Sequence, residues 1–272
     1  LDMNEPFTAA RARNAGLEYL LANYTRVEFV QFVDGDCELD SSWISHAYKF
    51  LLDNSSYAIA CGRRRERFPE QTVFNALCDI EWNTPPGNVK ACGGDALMRA
   101  SALQEVNGYR DTLIAGEEPE MCYRLRQNNW KIARLNCEMT LHDAAMTKFS
   151  QWWNRAKRAG HAYAEGYAIH GRSSEQFKLK EVRSAVVWAG LIPITTILLV
   201  TLFGEIALVL LGVYPLQIFR LSFKYMQSLA SFKLAINYAM SNVFGKFPQL
   251  QGMATFLGNK VRGVNNRIIE YK

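Results

Sequence analysis

The chain has 272 residues, with 31 Lys and Arg against 26 Asp and Glu for a formal net charge of +5. That is enough for one sizeable domain plus an appendage, but not for two full α/β domains. The charge excess is mild and no base-reading motif is present, which argues against nucleic acid as a partner; basic residues recur near the apolar C-terminal third and favour a membrane surface.

The chain opens Leu1-Asp2-Met3-Asn4-Glu5, without a basic n-region, an apolar h-region or an initiator methionine. No signal peptide is therefore expected, and a clipped N-terminus is. Residues 7–23 carry apolar positions at helical spacing behind a cap region at Asn4 to Thr8. The apolar run from Phe29 predicts a strand ending at Asp34, followed by a helix from Ser41 to about Leu52 and a short buried strand over Tyr57 to Gly62. Arg63 to Pro86, charged, aromatic and proline-bounded, reads as loop and helix rather than sheet. Lys90 to Arg99 holds a Cys92-Gly93-Gly94-Asp95 turn ahead of a short helix at Ser101 to Val106. A helix over Pro119 to Asn128 and a strand over Lys131 to Leu141 complete an α/β head, 1–175.

Residues 184–203 contain no charge, a length that spans a bilayer core, and a second apolar run follows over 206–221. This second run spans only if Arg220 and Lys224 snorkel, and a re-entrant hairpin is the rival. Lys178, Lys180 and Arg183 precede the pair, Arg220 and Lys224 follow it, and none lies between, so both ends are expected on the cytoplasmic side. The expected organisation is a head, a membrane hairpin over 176–227, and an amphipathic, basic tail over 228–272. The six cysteines stand singly without a C-x-x-C pair, which predicts reduced thiols in a cytoplasmic compartment and no zinc framework.

Asp34-Gly35-Asp36 closes an apolar strand with two carboxylates. Such a pair suits a hard divalent cation and a phosphate-bearing ligand, although Asp-Gly is also a common turn pair. A D-x-D after a strand is likewise the nucleophile motif of haloacid-dehalogenase-like phosphatases, but Glu38 stands where that motif carries Thr or Val. Glu117, Glu118 and Glu120 crowd a helix start, either as dipole complements or with Glu118 as a general base. His142 ends a strand, as a structural residue or as a third metal ligand beside Asp34 and Asp36. Gln151 to Arg158 offers three cations and two indoles. It is either an interfacial belt or an electrostatic clamp for a diphosphate with an aromatic face for a sugar.

In this order the motifs resemble membrane-associated glycosyltransferases of family 2, the GT-A fold group that includes cellulose, chitin and exopolysaccharide synthases. Ala12-Arg13-Asn14-Ala15-Gly16, Asp34-Gly35-Asp36, Cys92-Gly93-Gly94-Asp95 with Arg99, Gly116-Glu117-Glu118 and the segment from Gln151 to Arg158 carry the resemblance, over about residues 7 to 170. It implies a GT-A-like mixed sheet with helices that lacks its first βαβ unit, so that about 60–90 residues of a typical fold lie outside the chain and donor binding is weakened. It also implies an inverting, metal-dependent transfer from a nucleotide-diphosphate sugar to a lipid-linked or polymeric sugar acceptor. The cofactor would be Mg²⁺ or Mn²⁺, the place the inner membrane with the head in the cytoplasm, and the process envelope or exopolysaccharide synthesis. Glu118 takes the base position, where the family more often has Asp, and Glu117 and Glu120 tune it. Arg13, Asp34, Arg155 and Arg158 fall to the donor diphosphate, Gly94, Asp95, Glu120 and Trp152 to the acceptor, and Asp34, Asp36 and His142 to the metal. The alternatives are a non-catalytic membrane interaction module and the phosphatase.

Overall fold

The computed structural model describes residues 7–229 and 231–264, and the chain divides into two units: Leu1–Gln71 with Cys78–Ala145, and Thr72–Leu77 with Met146–Lys272. The first unit is built on a mixed six-stranded sheet. Its strands are β1 (Phe29–Phe32), β2 (Cys37–Leu39), β3 (Tyr57–Glu66), β4 (Gly87–Asn88), β5 (Ala96–Arg99) and β6 (Lys131–His142). They run in the order β1-β5-β3-β6-β2, with β4 added to β6. β3 and β6 are parallel and every other pair is antiparallel. Parallel strands are covered on both faces, and Ala58, Ile59, Ala60 and Cys61 of β3 are all buried.

The sheet is curled. β1 and β2 stand at opposite ends of the strand order, which in a flat sheet would put them about 19 Å apart. Five residue steps reach at most about 17 Å even when fully extended, and the link between them is a tight turn closed by the Cys37 N–H donating to the Asp34 carbonyl at 3.0 Å. The curl draws the turn, the carboxyl ends of β3 and β6, and the entry to β5 to one rim.

Helices cover the sheet. In α1 (Ala9–Asn23) the Thr8 hydroxyl caps the first turn by accepting from the Arg11 N–H. In α2 (Trp43–Asp53), Trp43, Ala47 and Leu51 recur at intervals of four and are wholly buried. α3 (Val73–Trp82), α4 (Ala100–Glu105) and α5 (Glu117–Gln127) follow in the order expected. One expectation is corrected: β3 continues through Arg63, Arg64, Arg65 and Glu66, where loop and helix are expected; β2, β4 and β5 are strands that the sequence reading does not name. The arginines stay in the sheet because each finds an anion or carbonyl along the rim, among them Glu138 for Arg63 and Asp79 for Arg65. All six cysteines are free thiols.

The second unit is helical: α6 (Phe149–His170), α7 (Leu179–Ala185), a π-helical turn (Val186–Leu191), α8 (Ile192–Phe203), a 3₁₀ stretch (Gly204–Gly212), α9 (Val213–Met226), α10 (Phe232–Phe244) and α11 (Lys246–Arg262). The π turn ends two residues before Pro193, whose missing N–H and ring disturb the helical ladder there. Leu179–Met226 is long and apolar enough to cross a membrane by length and composition. Its apolar window has a mean hydropathy of 2.4 and is 6% buried. The chain reverses inside this stretch. The Tyr214 hydroxyl donates to the Trp188 carbonyl at 2.5 Å, whereas 26 residues of straight helix would separate them by about 39 Å. Gly204, at φ 72° and ψ −165°, breaks α8 at that point.

Within the expected tail, 228–272, the described residues form α10 and α11. α11 packs along α6, which therefore groups with the C-terminal helices rather than with the head. The cause is a pair of small residues: a Cβ on Gly160 would overlap the Gln249 backbone, and one on Gly252 would overlap the Lys157 carbonyl. The end of the expected tail, 265–272, lies outside the described residues. Gly252→Ala is expected to lower stability by about 1–3 kcal/mol through overpacking. Gly258→Ala on the same helix, where a Cβ meets nothing within 4 Å, should be neutral or slightly stabilising. Thermal unfolding followed by circular dichroism in detergent would compare them, and equal midpoints would contradict the close contact.

Candidate functional site

The Asp34-Gly35-Asp36 turn stands at the curled rim of the first unit, and its two carboxylates face different partners. Asp34 accepts from Arg13 of α1 at 2.6 Å and lies 3.5 Å from Arg64 of β3. Gly94 is what allows Asp34 to sit there, since a Cβ at that position would overlap the Asp34 carboxylate. Gly94, expected at the acceptor, thus acts through close packing against the turn. Asp34, expected on the metal, is held between two guanidiniums.

Asp95 is corrected from an acceptor contact to an enclosed anchor. It is wholly buried and accepts from Arg64 at 2.5 Å, the Asp34 N–H at 2.8 Å, the Thr140 hydroxyl at 3.0 Å and the Cys37 thiol at 3.2 Å. A carboxylate out of water needs such a donor shell. Burial opposes the charge on Arg64, but Asp95 and Asp34 outweigh it and its pKa is raised. Burial and Asp95 together push the Cys37 thiol up, so it remains a donor.

Asp36 turns the other way, toward His142 at the end of β6, with Oδ1 3.3 Å from Nε2. The His142 ring is packed edge-on against Trp82 of α3 at 4.5 Å, and Arg64 lies over the same indole. Oxygen from Asp36 and nitrogen from His142, with the Cys37 sulfur, lie within 4.8 Å of one another. A carboxylate and an imidazole on one spot fit a divalent cation of the Mn²⁺ type, and the protonated thiol adds little to such a hard set. The structure therefore brings together two of the three expected ligands.

At the start of α5 the acids separate by role. Glu117 accepts from Arg13 at 2.7 Å, so one guanidinium ties α5 to the turn through Asp34. Burial opposes the charge of Arg13, but Tyr109, Asp34 and Glu117 overcome it and raise its pKa. Glu118 is buried, and its Oε1 accepts from the Cys92 N–H at 2.6 Å and from the thiols of Cys92 at 3.1 Å and Cys122 at 2.9 Å. Burial keeps both thiols protonated, Cys92 far above its ordinary value and Cys122 pushed up to about 11. Oε1 is thus anchored, and Oε2 makes no hydrogen bond among the described residues. Glu120, expected at the acceptor, is corrected: it is buried in ion pairs with Arg124 at 2.8 Å and Arg110 at 3.2 Å.

Trp152, Arg155 and Arg158 lie on α6, in the second unit. Trp152 is buried in an aromatic cluster with Phe74 and Phe149 rather than presented as an open sugar platform. Several partners at the rim were not anticipated, chiefly Arg64, Thr140, Trp82, Cys92 and Cys122. Asn14, seen only as part of a motif, clamps the turn before α5. It accepts from the Tyr109 N–H at 2.8 Å and donates to the Tyr109 carbonyl at 2.7 Å and to Asp111 at 2.6 Å.

No protein-family model matches the chain, and no curated protein matches it. Solved structures do. The mannosyltransferase PcManGT from Pyrobaculum calidifontis, in complex with GDP-Man and Mn²⁺, aligns at 14% identity with a TM-score of 0.57, covering 94% of this chain and 68% of that one. TarS 1-349 from S. aureus, in complex with UDP-GlcNAc, aligns at 12% identity with a TM-score of 0.40, covering 97% and 74%. At these identities the likeness to PcManGT speaks to fold, and this chain carries the mixed α/β fold of a solved nucleotide-sugar glycosyltransferase.

Proposed function

We propose that the chain is the working part of an inverting, divalent-metal-dependent glycosyltransferase. It would move a sugar from a nucleotide-diphosphate donor to a lipid-linked or polysaccharide acceptor at the cytoplasmic face of a membrane, in envelope or exopolysaccharide synthesis. The observation that carries this is the linkage at the rim: Arg13 joins the Asp34-Gly35-Asp36 turn to Glu117, next to an anchored Glu118, in a fold shared with a solved glycosyltransferase.

In this reading Asp36 and His142 hold Mg²⁺ or Mn²⁺. The cation would neutralise the charge that builds on the departing diphosphate. Asp34 and Glu117 fix Arg13, and Asp34 and Asp95 fix Arg64, so two preorganised guanidiniums border the place of a diphosphate. Glu118 keeps Oε1 in its donor shell and takes the acceptor hydroxyl proton on Oε2, while the hydroxyl oxygen displaces the diphosphate from the anomeric carbon. One displacement inverts that carbon.

The test is sugar transfer or donor hydrolysis by the protein with UDP- and GDP-sugars, with and without Mn²⁺, beside Asp36→Ala. Turnover should require metal and fall at least about 100-fold in the variant, with Mn²⁺ binding weakened in calorimetry. Metal-independent turnover that survives Asp36→Ala would sink the reading.

A further inference from the structure

The second unit contains a cavity of about 420 Å³, within the range of small-molecule sites. Val73 and Phe74 of α3, Phe149 and Trp152 of α6, and Met240 and Phe244 of α10 form most of its wall. Among the described residues, no charged side chain lines it. Its polar members are Asn237 and Ser241, and the Ser241 hydroxyl is turned back onto the Tyr238 carbonyl of its own helix. The Trp152 indole is stacked on Phe74 and packed against Phe149, so the slot has stiff aromatic sides. Phe149, Met240 and Phe244 are left 59%, 41% and 41% exposed. Apolar surface of this kind is unfavourable against water, by about 25 cal/mol per Å².

Two features bear on what covers it. Phe247, also on the cavity wall, packs its ring at 6.1 Å against Tyr214 of α9, so the wall is continuous with the apolar Leu179–Met226 stretch. Lys246 precedes Phe247, and a Cβ on the neighbouring Gly245 would come within 3.7 Å of Trp152. Lys246 is partly buried and donates to Gln249; burial lowers its pKa, against the nearby Glu181 carboxylate, which favours its charge. A hydrocarbon slot whose wall residue Phe247 directly follows a partly buried lysine, continuous with a membrane-length apolar surface, matches a chain with an anionic end.

We propose that this cavity receives the hydrocarbon chain of a lipid-linked phosphate that serves as the sugar acceptor, with Lys246 drawing its phosphate. The term acceptor rests on the transferase reading; the chain site does not. The slot selects against free sugars and polysaccharides, which bring no apolar chain to fill it.

The experiment is photolabelling of the detergent-purified protein with farnesyl phosphate carrying a diazirine, mapped by mass spectrometry. Labels should fall on peptides containing Phe74, Trp152 or Met240, and unlabelled farnesyl phosphate should protect them while inorganic phosphate does not. Ser241→Phe fills the slot and should cut labelling about tenfold, equivalent to about 1.4 kcal/mol. Asn237→Leu keeps an apolar wall and should label like the parent, which separates filling from misfolding. Lys246→Gln should weaken competition by farnesyl phosphate but not by farnesol. Label spread over Leu179–Met226 without protection, or undiminished in Ser241→Phe, would overturn the proposal. Protected labelling in a protein with no sugar transfer would leave the chain site standing and remove the transferase. Transfer to a polysaccharide with unprotected labelling would do the reverse.

Discussion

Asp95→Ala is expected to destabilise the first unit by about 3–5 kcal/mol, the cost of leaving a buried guanidinium without its counter-charge. Arg64 is 14% exposed at its side chain, and its 2.5 Å partner would be gone. The Asp34 N–H and the Thr140 hydroxyl would lose their acceptor in the same step. Asp34, 3.5 Å from Arg64 and already bound to Arg13, cannot replace a carboxylate at the centre of four donors. Asp95→Asn should cost much less, because an amide oxygen still accepts from the Asp34 N–H while only the charge is removed. Native-state hydrogen exchange at the amides of β3 and β6 would read this unit separately from the helical one. Exchange in Asp95→Ala as slow as in the parent would mean that Asp95 is no anchor.

The limits of the sequence are instructive at the same residues. Elements with a strong local period were legible: α1, α2 and α5, the strand core from Tyr57, and β6 all appear within a few residues of expectation. The Arg63-Arg64-Arg65 run read as loop because three cations contradict a buried strand. Strand alternation puts Arg64 on one face and its neighbours on the other, and that alternation was the available signal for Arg64. The curl that makes a site of the rim depends on long-range pairing of β2 with the end of β6, for which three residues leave almost no local trace. Asp95, Gly94 and Glu120 were recognised as special, but their surroundings were not. A carboxylate that binds a ligand and one that neutralises an internal arginine look alike in one dimension. The hydrophobic length of 184–203 was visible as well, whereas the packing of α11 on α6 turned on two glycines, Gly160 and Gly252, that no hydropathy pattern marks.

The second large effect separates the two neighbouring acids of α5. Glu118→Gln should reduce turnover about 10²–10⁴-fold, the usual worth of a positioned general base, with stability nearly unchanged. The amide oxygen can still accept from the Cys92 N–H and the two thiols at Oε1, so the side chain keeps its place, but the nitrogen in place of Oε2 cannot take a proton. Glu117→Gln acts elsewhere. It weakens the ion pair that holds Arg13 between α5 and Asp34, so the loss should fall mainly on KM for the nucleotide-sugar rather than on kcat. The two variants therefore give opposite splits between kcat and KM, which a merely structural role for both residues would not produce. Steady-state kinetics on both, with circular dichroism to confirm the fold, decides the matter. If Glu118→Gln keeps full turnover, the base lies elsewhere. If the parent and both variants are equally inert with every UDP- and GDP-sugar, Glu118 loses its support as the base.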